Sequence, residues 1–235
     1  MALFNNPPVA SKSLRVLALL LGYPDAGLRE HLADMRDVLH AEGALSASRL
    51  TELDALIGTL ERRPALDVEA GYVELFDHGR ATSLHLFEHV HGDSRERGPA
   101  MIDLAQTYEK AGLYLAEGEL PDFLPVVLEF TSTQPPREAR AFLGEMAHIF
   151  NAIFAALQQR DSAYASVLGA LLELAGEKAQ PVQVAAEESI DTIWEEPIVF
   201  DGCSSKGQSR PDPLVPLSQP IRIVRKDPPA KGAQA

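Results

Sequence analysis

The sequence predicts an all-α protein: one helical bundle followed by a disordered tail. Three observations carry this expectation. Apolar residues recur at intervals of three and four from Leu14 to Leu174. No alternating apolar–polar run of useful strand length occurs before residue 196. The segment 201–235 holds six prolines and three glycines, a composition that builds no core. The bundle is placed at 8–178 and the tail, acidic and then basic, at 179–235.

Each helix has its own stripe and stops. Leu14, Leu17, Ala18 and Leu21 mark the first, with Ser11 or Ser13 as N-cap and Gly22 and Pro24 as its end. Leu28, Leu32, Met35 and Leu39 mark a second that ends near Gly43, and Leu50, Leu53, Ile57 and Leu60 a third ended by Pro64. Val68, Tyr72, Leu75 and Phe76 mark a fourth, with Asp67 as N-cap and Gly79 beyond it. A short fifth, with Leu84, Phe87 and Val90, lies between Ser83 and Gly92. Met101, Leu104, Tyr108 and Leu115 mark a sixth. Pro121 opens a seventh at the first helical position, where its missing N–H costs nothing. After Pro135 and Pro136, one long helix carries Phe142, Met146, Ile149, Phe150, Ile153 and Leu157 on a single face. Asp161 or Ser162 caps a last helix that runs to about Leu174.

Composition excludes several classes. Net charge is −13, and the charge is unevenly placed: residues 1–200 carry −16 and residues 201–235 carry +3. An acidic body repels a nucleic-acid duplex and suits a basic peptide, or serves solubility alone. Cys203 is the single cysteine, so neither an intrachain disulfide nor a cysteine-based zinc site can form. The opening residues lack the basic and apolar regions of a secretory signal. The longest apolar run, Val16 to Leu21, is far too short for a membrane span. These features lead us to expect a soluble cytoplasmic protein without direct membrane insertion. Two apolar islands, Trp194–Phe200 and Ile221–Val224, stand within the tail. Each is either a linear docking element or loosely packed chain.

Chemical density peaks between Tyr72 and Met101, which hold four of the seven histidines, five carboxylates and three arginines. His85, Glu88 and His89 spell H-x-x-E-H. On a helix, two histidines four apart share a face and can share a zinc ion, with Glu88 as general base. A third ligand would have to come from elsewhere, and Glu129, Glu145 and His148 are all available. This gives a zinc-dependent hydrolase as one reading. The other is a polar docking surface on a helical protein. Nothing else resembles a nucleophile elbow, a phosphate loop or a dinucleotide turn.

The run from Tyr72 to Met101, YVELFDHGRATSLHLFEHVHGDSRERGPAM, resembles the nitrate reductase assembly chaperones of the NarJ family, a branch of the TorD-like redox-enzyme maturation proteins. Glu119 to Phe130 (ELPDFLPVVLEF), the L-G-Y-P piece at Leu21 to Pro24 and the W-E-E-P piece at Trp194 to Pro197 fit as well. The resemblance implies a TorD-like helical fold, no catalysis and no cofactor of its own. It implies a partner, the N-terminal tail of the nitrate reductase catalytic (alpha) subunit. The apoprotein would be held for molybdenum cofactor insertion before membrane docking, in contact with the cofactor-delivery machinery. The wider group carries an E-x-P-D-H-type hinge motif. Glu119, Pro121 and Asp122 match it, and Phe123 stands where histidine is often found.

An amphipathic peptide laid into a groove is the expected binding mode. Candidate walls are Tyr72, Phe76, Phe87 and Met101, each of which could equally be core. Candidate polar contacts are Asp77, His78, Glu88, His89, His91, Asp93, Glu119 and Asp122. Their alternative is a hydrogen-bonded loop that fixes the turn at Gly92. Arg95 and Arg97 either pair with Asp93 or touch cofactor phosphates.

Overall fold

The computed structural model of the chain describes residues 9–92 and 94–180. The chain divides into two units, Met1–Glu187 and Glu188–Ala235, and every described residue belongs to the first. Asp93, Trp194–Phe200 and Ile221–Val224 lie outside the described residues.

The first helix, α1 (Ser11–Leu20), buries Leu14, Leu17 and Leu20. Its N-cap is Ala10 rather than either serine. The Lys12 and Ser13 N–H groups are satisfied from a distance, donating to the Glu42 carboxylate at 3.0 and 2.6 Å. The expected second helix is two helices, α2 (Ala26–Glu30) and α3 (Leu32–Glu42), broken at His31. Asp25 caps α2 by accepting the Leu28 N–H at 2.8 Å. The break lets Leu32, Met35 and Leu39 turn inward while α2 buries nothing. Gly43 ends α3 at φ 64°, a left-handed cap that a side chain would strain.

Helix α4 (Ala47–Arg62) starts at Ser46, whose hydroxyl accepts the Arg49 N–H. Helix α5 (Ala65–Phe76) follows at once, with Pro64 as its cap and Asp67 inside the first turn. A single 3-10 turn, η1 (Arg80–Thr82), and the short α6 (Leu86–Val90) come next. Helix α7 (Arg97–Lys110) stops before Leu115, which lies in the following loop. Pro121 also stays in that loop: α8 (Leu124–Thr133) begins three residues later, with Pro125 in its first turn. The expected long helix is α9 (Pro136–Glu145) and α10 (Ala147–Gln159), bent by 63° at Met146. The bend turns Ile149, Phe150, Ile153 and Leu157 into the core. Helix α11 (Ala165–Ala175) is nearly all buried. Tyr164 caps it, so Asp161 and Ser162 sit in the preceding turn.

Helix packing closes a ring. Helix α1 lies between α8 and α3; α3 packs on α4, α4 on α11, α11 on α9, and α9 back on α8. Helix α10 lies against α11 and reaches η1 and α6. The ring encloses Leu17, Leu53, Ile57, Leu128, Phe150 and Leu168, all withdrawn from solvent. Truncating one of these to alanine would cost about 2–5 kcal/mol. No single described helix is long and apolar enough to cross a membrane.

Candidate functional site

Two segments that lie far apart in sequence meet beside this ring. The His85 and Phe123 backbones form an isolated antiparallel bridge. Leu86 N–H donates to the Asp122 carbonyl at 3.0 Å, and Leu124 N–H donates to the Leu84 carbonyl at 2.8 Å. The Asp122 side chain is fully buried and turns into this joint. Its carboxylate accepts the Phe87 N–H at 3.2 Å and faces His85 Nδ1 at 3.4 Å. Arg97 reaches the same carboxylate at 3.6 Å and Glu88 at 3.5 Å. Burying a carboxylate is costly unless it is hydrogen-bonded and paired, as it is here. The hydrogen bond that His85 donates to the Asp122 carboxylate raises the His85 pKa, and Glu88 adds to this; burial and Arg97 oppose it. Phe123 packs against the His85 ring in a tilted arrangement, with centroids 5.2 Å apart. The position where a histidine is often found thus holds a half-buried apolar side chain against the core.

This clasp anchors an arm made of α6, α7 and the loop that follows. Helix α7 buries Tyr108, whose hydroxyl donates to the Pro121 carbonyl at 2.8 Å. Its ring packs on Phe130 at 4.7 Å.

The zinc reading of H-x-x-E-H fails on this geometry. His85 is the cap residue of α6 with extended backbone, so His85 and His89 do not share a helical face. His89 Nε2 donates to the Ser83 carbonyl at 2.9 Å, and Glu88 pairs with Arg97. Among the described residues no group of three or more His, Cys, Asp or Glu is arranged to hold a metal ion.

The other expected site residues separate into four sets. Tyr72 and Phe76 are core side chains: their rings lie 4.8 Å apart, and Phe76 meets Tyr164 edge-on at 5.1 Å. Burial pushes the Tyr72 hydroxyl well above the usual phenol range, and it donates to the Leu21 carbonyl at 2.7 Å. Asp77 and His78 are exposed at the root of the arm. Phe87, Glu88, His89, His91 and Met101 are half-buried on the arm itself, with Phe87 edge-on to His91 at 5.5 Å. Glu119 is exposed at its far end and holds the loop by accepting the Ala116 N–H at 3.0 Å.

The apolar groove lies elsewhere, along α1 and α8. One part, about 660 Å³, is lined by Leu19, Tyr23, Leu28, Met35, Val38 and Pro125. A second, about 400 Å³, is lined by Leu19, Tyr114, Leu115, Val126 and Phe130. Leu19 and Glu129 line both parts, so the two adjoin on the α1–α8 face. Leu19, Tyr23 and Tyr114 are 47%, 49% and 80% exposed, a concentration of large apolar surface along one line. Carboxylates rim it at Asp25, Asp34, Glu119 and Glu129. Of the described peptide-site residues expected from sequence, Glu119 alone lines this groove, although a second signal was present. In the run Val16–Leu21, Leu19 falls off the inward stripe of α1 and is an apolar residue the core does not use.

A larger cleft of about 820 Å³ opens between α4, α5 and the α10–α11 turn. Arg63, Glu74, Arg160 and Asp161 intersperse its lining, and of the expected site residues it includes Tyr72 alone. It lacks the line of exposed apolar side chains that marks the α1–α8 groove.

Comparison with known proteins decides the family. Residues 24–169 match the family described as nitrate reductase delta subunit. The chain belongs to the nitrate reductase delta subunit family. Within it, the chain is 42% identical over 193 residues to the nitrate reductase molybdenum cofactor assembly chaperone NarJ of Escherichia coli (strain K12), covering 78% of this chain and 82% of that one. It is 31% identical over 159 residues to the NarJ-named relative of Bacillus subtilis (strain 168), covering 66% and 84%. The fold is similar to that of a candidate redox enzyme maturation protein from Archaeoglobus fulgidus, with a TM-score of 0.51 at 21% identity over 75% of this chain and all of that one. As a delta subunit family member, the chain is an assembly chaperone and not an enzyme.

Proposed function

We propose that the protein is the assembly chaperone of a respiratory nitrate reductase, and that it binds the N-terminal tail of the catalytic subunit in the α1–α8 groove. The two adjoining apolar parts of the groove, with exposed Leu19 between them and an acidic rim, support this reading. An amphipathic peptide laid there covers Leu19, Tyr23 and Tyr114, and the rim meets its basic side chains. Exposed ion pairs contribute about 0–1 kcal/mol each, so the apolar contacts supply most of the affinity and the carboxylates orient the peptide.

The clasp serves this groove indirectly. Asp122, His85 and Arg97 fix the arm that brings Tyr114 and Glu119 to the α1–α8 face. Asp77 and His78 lie at its root, and Phe87, Glu88, His89, His91 and Met101 shape it. Holding the tail keeps the apoenzyme in the cytoplasm and off the membrane until the molybdenum cofactor is inserted; the cofactor is cargo of the client. The test is calorimetric titration of the full chain with a synthetic peptide of the catalytic subunit's N-terminal tail. Saturable one-to-one binding supports the reading, and absence of binding removes it.

A further inference from the structure

The groove differs in charge from one end to the other. Where α1 gives way to α2 and α3, it carries Asp25 and Asp34, with His31 beside Asp34 at 3.4 Å. Glu129 stands at the middle, shared by both parts. The other end carries Arg15, whose Nε donates to Ser132 Oγ at 3.1 Å and is thereby held over the α1–α8 seam. Among the described residues Arg15 has no carboxylate partner within ion-pair distance. Glu119 is also at this end, with its carboxylate turned back on the Ala116 N–H. The groove thus runs from two carboxylates, near the turn at Tyr23 beyond the end of α1, back along α1 to an end where a fixed guanidinium stands with one carboxylate.

A helical peptide has its own polarity. Its amino end is positive, from the unsatisfied N–H groups and any terminal amine, and its carboxyl end is negative. We infer that the groove reads this polarity, seating the peptide's amino end between Asp25 and Asp34 and its carboxyl end beside Arg15. The reverse orientation brings the negative end onto two carboxylates and moves the positive end to the end where Arg15 offsets Glu119, so it is the less favourable one. Glu129 is then placed to meet a basic side chain at the middle of the peptide. The client chain leaves the groove past Arg15 and Tyr114, which puts its folded body on the side of the arm. This inference rests on the docking proposed above and adds a direction to it.

The test uses the full chain and two versions of the catalytic-subunit tail peptide, carrying a photo-crosslinking benzophenone at the amino or the carboxyl end. We expect the amino-end probe to label residues 25–38 and the carboxyl-end probe to label residues 113–119. Acetylating the peptide's amino terminus should weaken binding about two- to fivefold in the parent chain, the scale of one exposed charge pair. The same acetylation should have a smaller effect on Asp34→Asn. Labelling in the opposite order, or equal labelling of both ends by both probes, overturns the inference and leaves the groove as the binding site. Labelling outside the groove, or no saturable binding, overturns the docking reading together with it.

Discussion

The Asp122 carboxylate, shut away from solvent, accepts the Phe87 N–H at 3.2 Å from a position thirty-five residues further along the chain. One side chain thereby satisfies the start of α6, draws in Arg97 and His85, and ties the E-L-P-D-F segment to the histidine-rich one. We expect Asp122→Ala to destabilise the protein by about 1–3 kcal/mol, since a buried N–H is left without a partner. Asp77→Ala, at an exposed site, should stay within about 0.5 kcal/mol. Urea unfolding of the two variants checks this, and equal midpoints would remove the clasp's structural role.

The His85–Asp122 pair makes stability depend on pH. The folded His85 pKa is raised above its ordinary value, chiefly by the Asp122 hydrogen bond, so folding favours the protonated ring. The pair's contribution is therefore complete below about pH 6.5, where the unfolded histidine is also protonated, and is lost as pH rises through the higher folded value. The stability difference between the parent chain and His85→Gln should shrink across that window. A difference that grows with rising pH would reverse the assignment.

Tyr108 ties the arm to the loop at Pro121 through one hydroxyl. Tyr108→Phe keeps the ring packing on Phe130 and should cost about 1 kcal/mol. Because the arm positions Tyr114, hydrogen exchange at 111–120 should quicken in this variant while α11 stays protected.

Salt should weaken peptide binding only moderately. Four carboxylates rim the groove, but exposed pairs are screened and individually weak. A fall in affinity of less than about tenfold between 0.05 and 0.5 M salt fits an apolar groove with an orienting rim. A much steeper dependence would mean that charge rather than apolar contact holds the peptide.

Most helices could be read from the apolar stripes, because a stripe at helical spacing marks the face a helix turns to the core of a bundle. The breaks at His31 and Met146 could not, since neither position has a proline or carries a glycine itself; packing sets both bends. Pro121 is a good helix opener that does not open one, because Asp122 is needed in the extended joint with His85 and Leu86. The two halves of the clasp were visible as unusual runs of letters, whereas their pairing depends on the fold. Tyr72 and Phe76 look the same in sequence whether they line a groove or fill a core, and the structure puts them in the core. The groove draws on α1, α3, α8 and the 113–119 loop, which no local pattern connects.

The α1–α8 groove is the proposed seat of the client tail. Calorimetric titration of the parent chain and of Leu19→Glu with the catalytic-subunit tail peptide tests this most directly. Leu19 is 47% exposed, so the substitution should leave folding nearly unchanged. Losing its burial beneath the peptide should weaken binding at least tenfold, about 1.4 kcal/mol. Tight binding that is indifferent to Leu19→Glu would contradict the account.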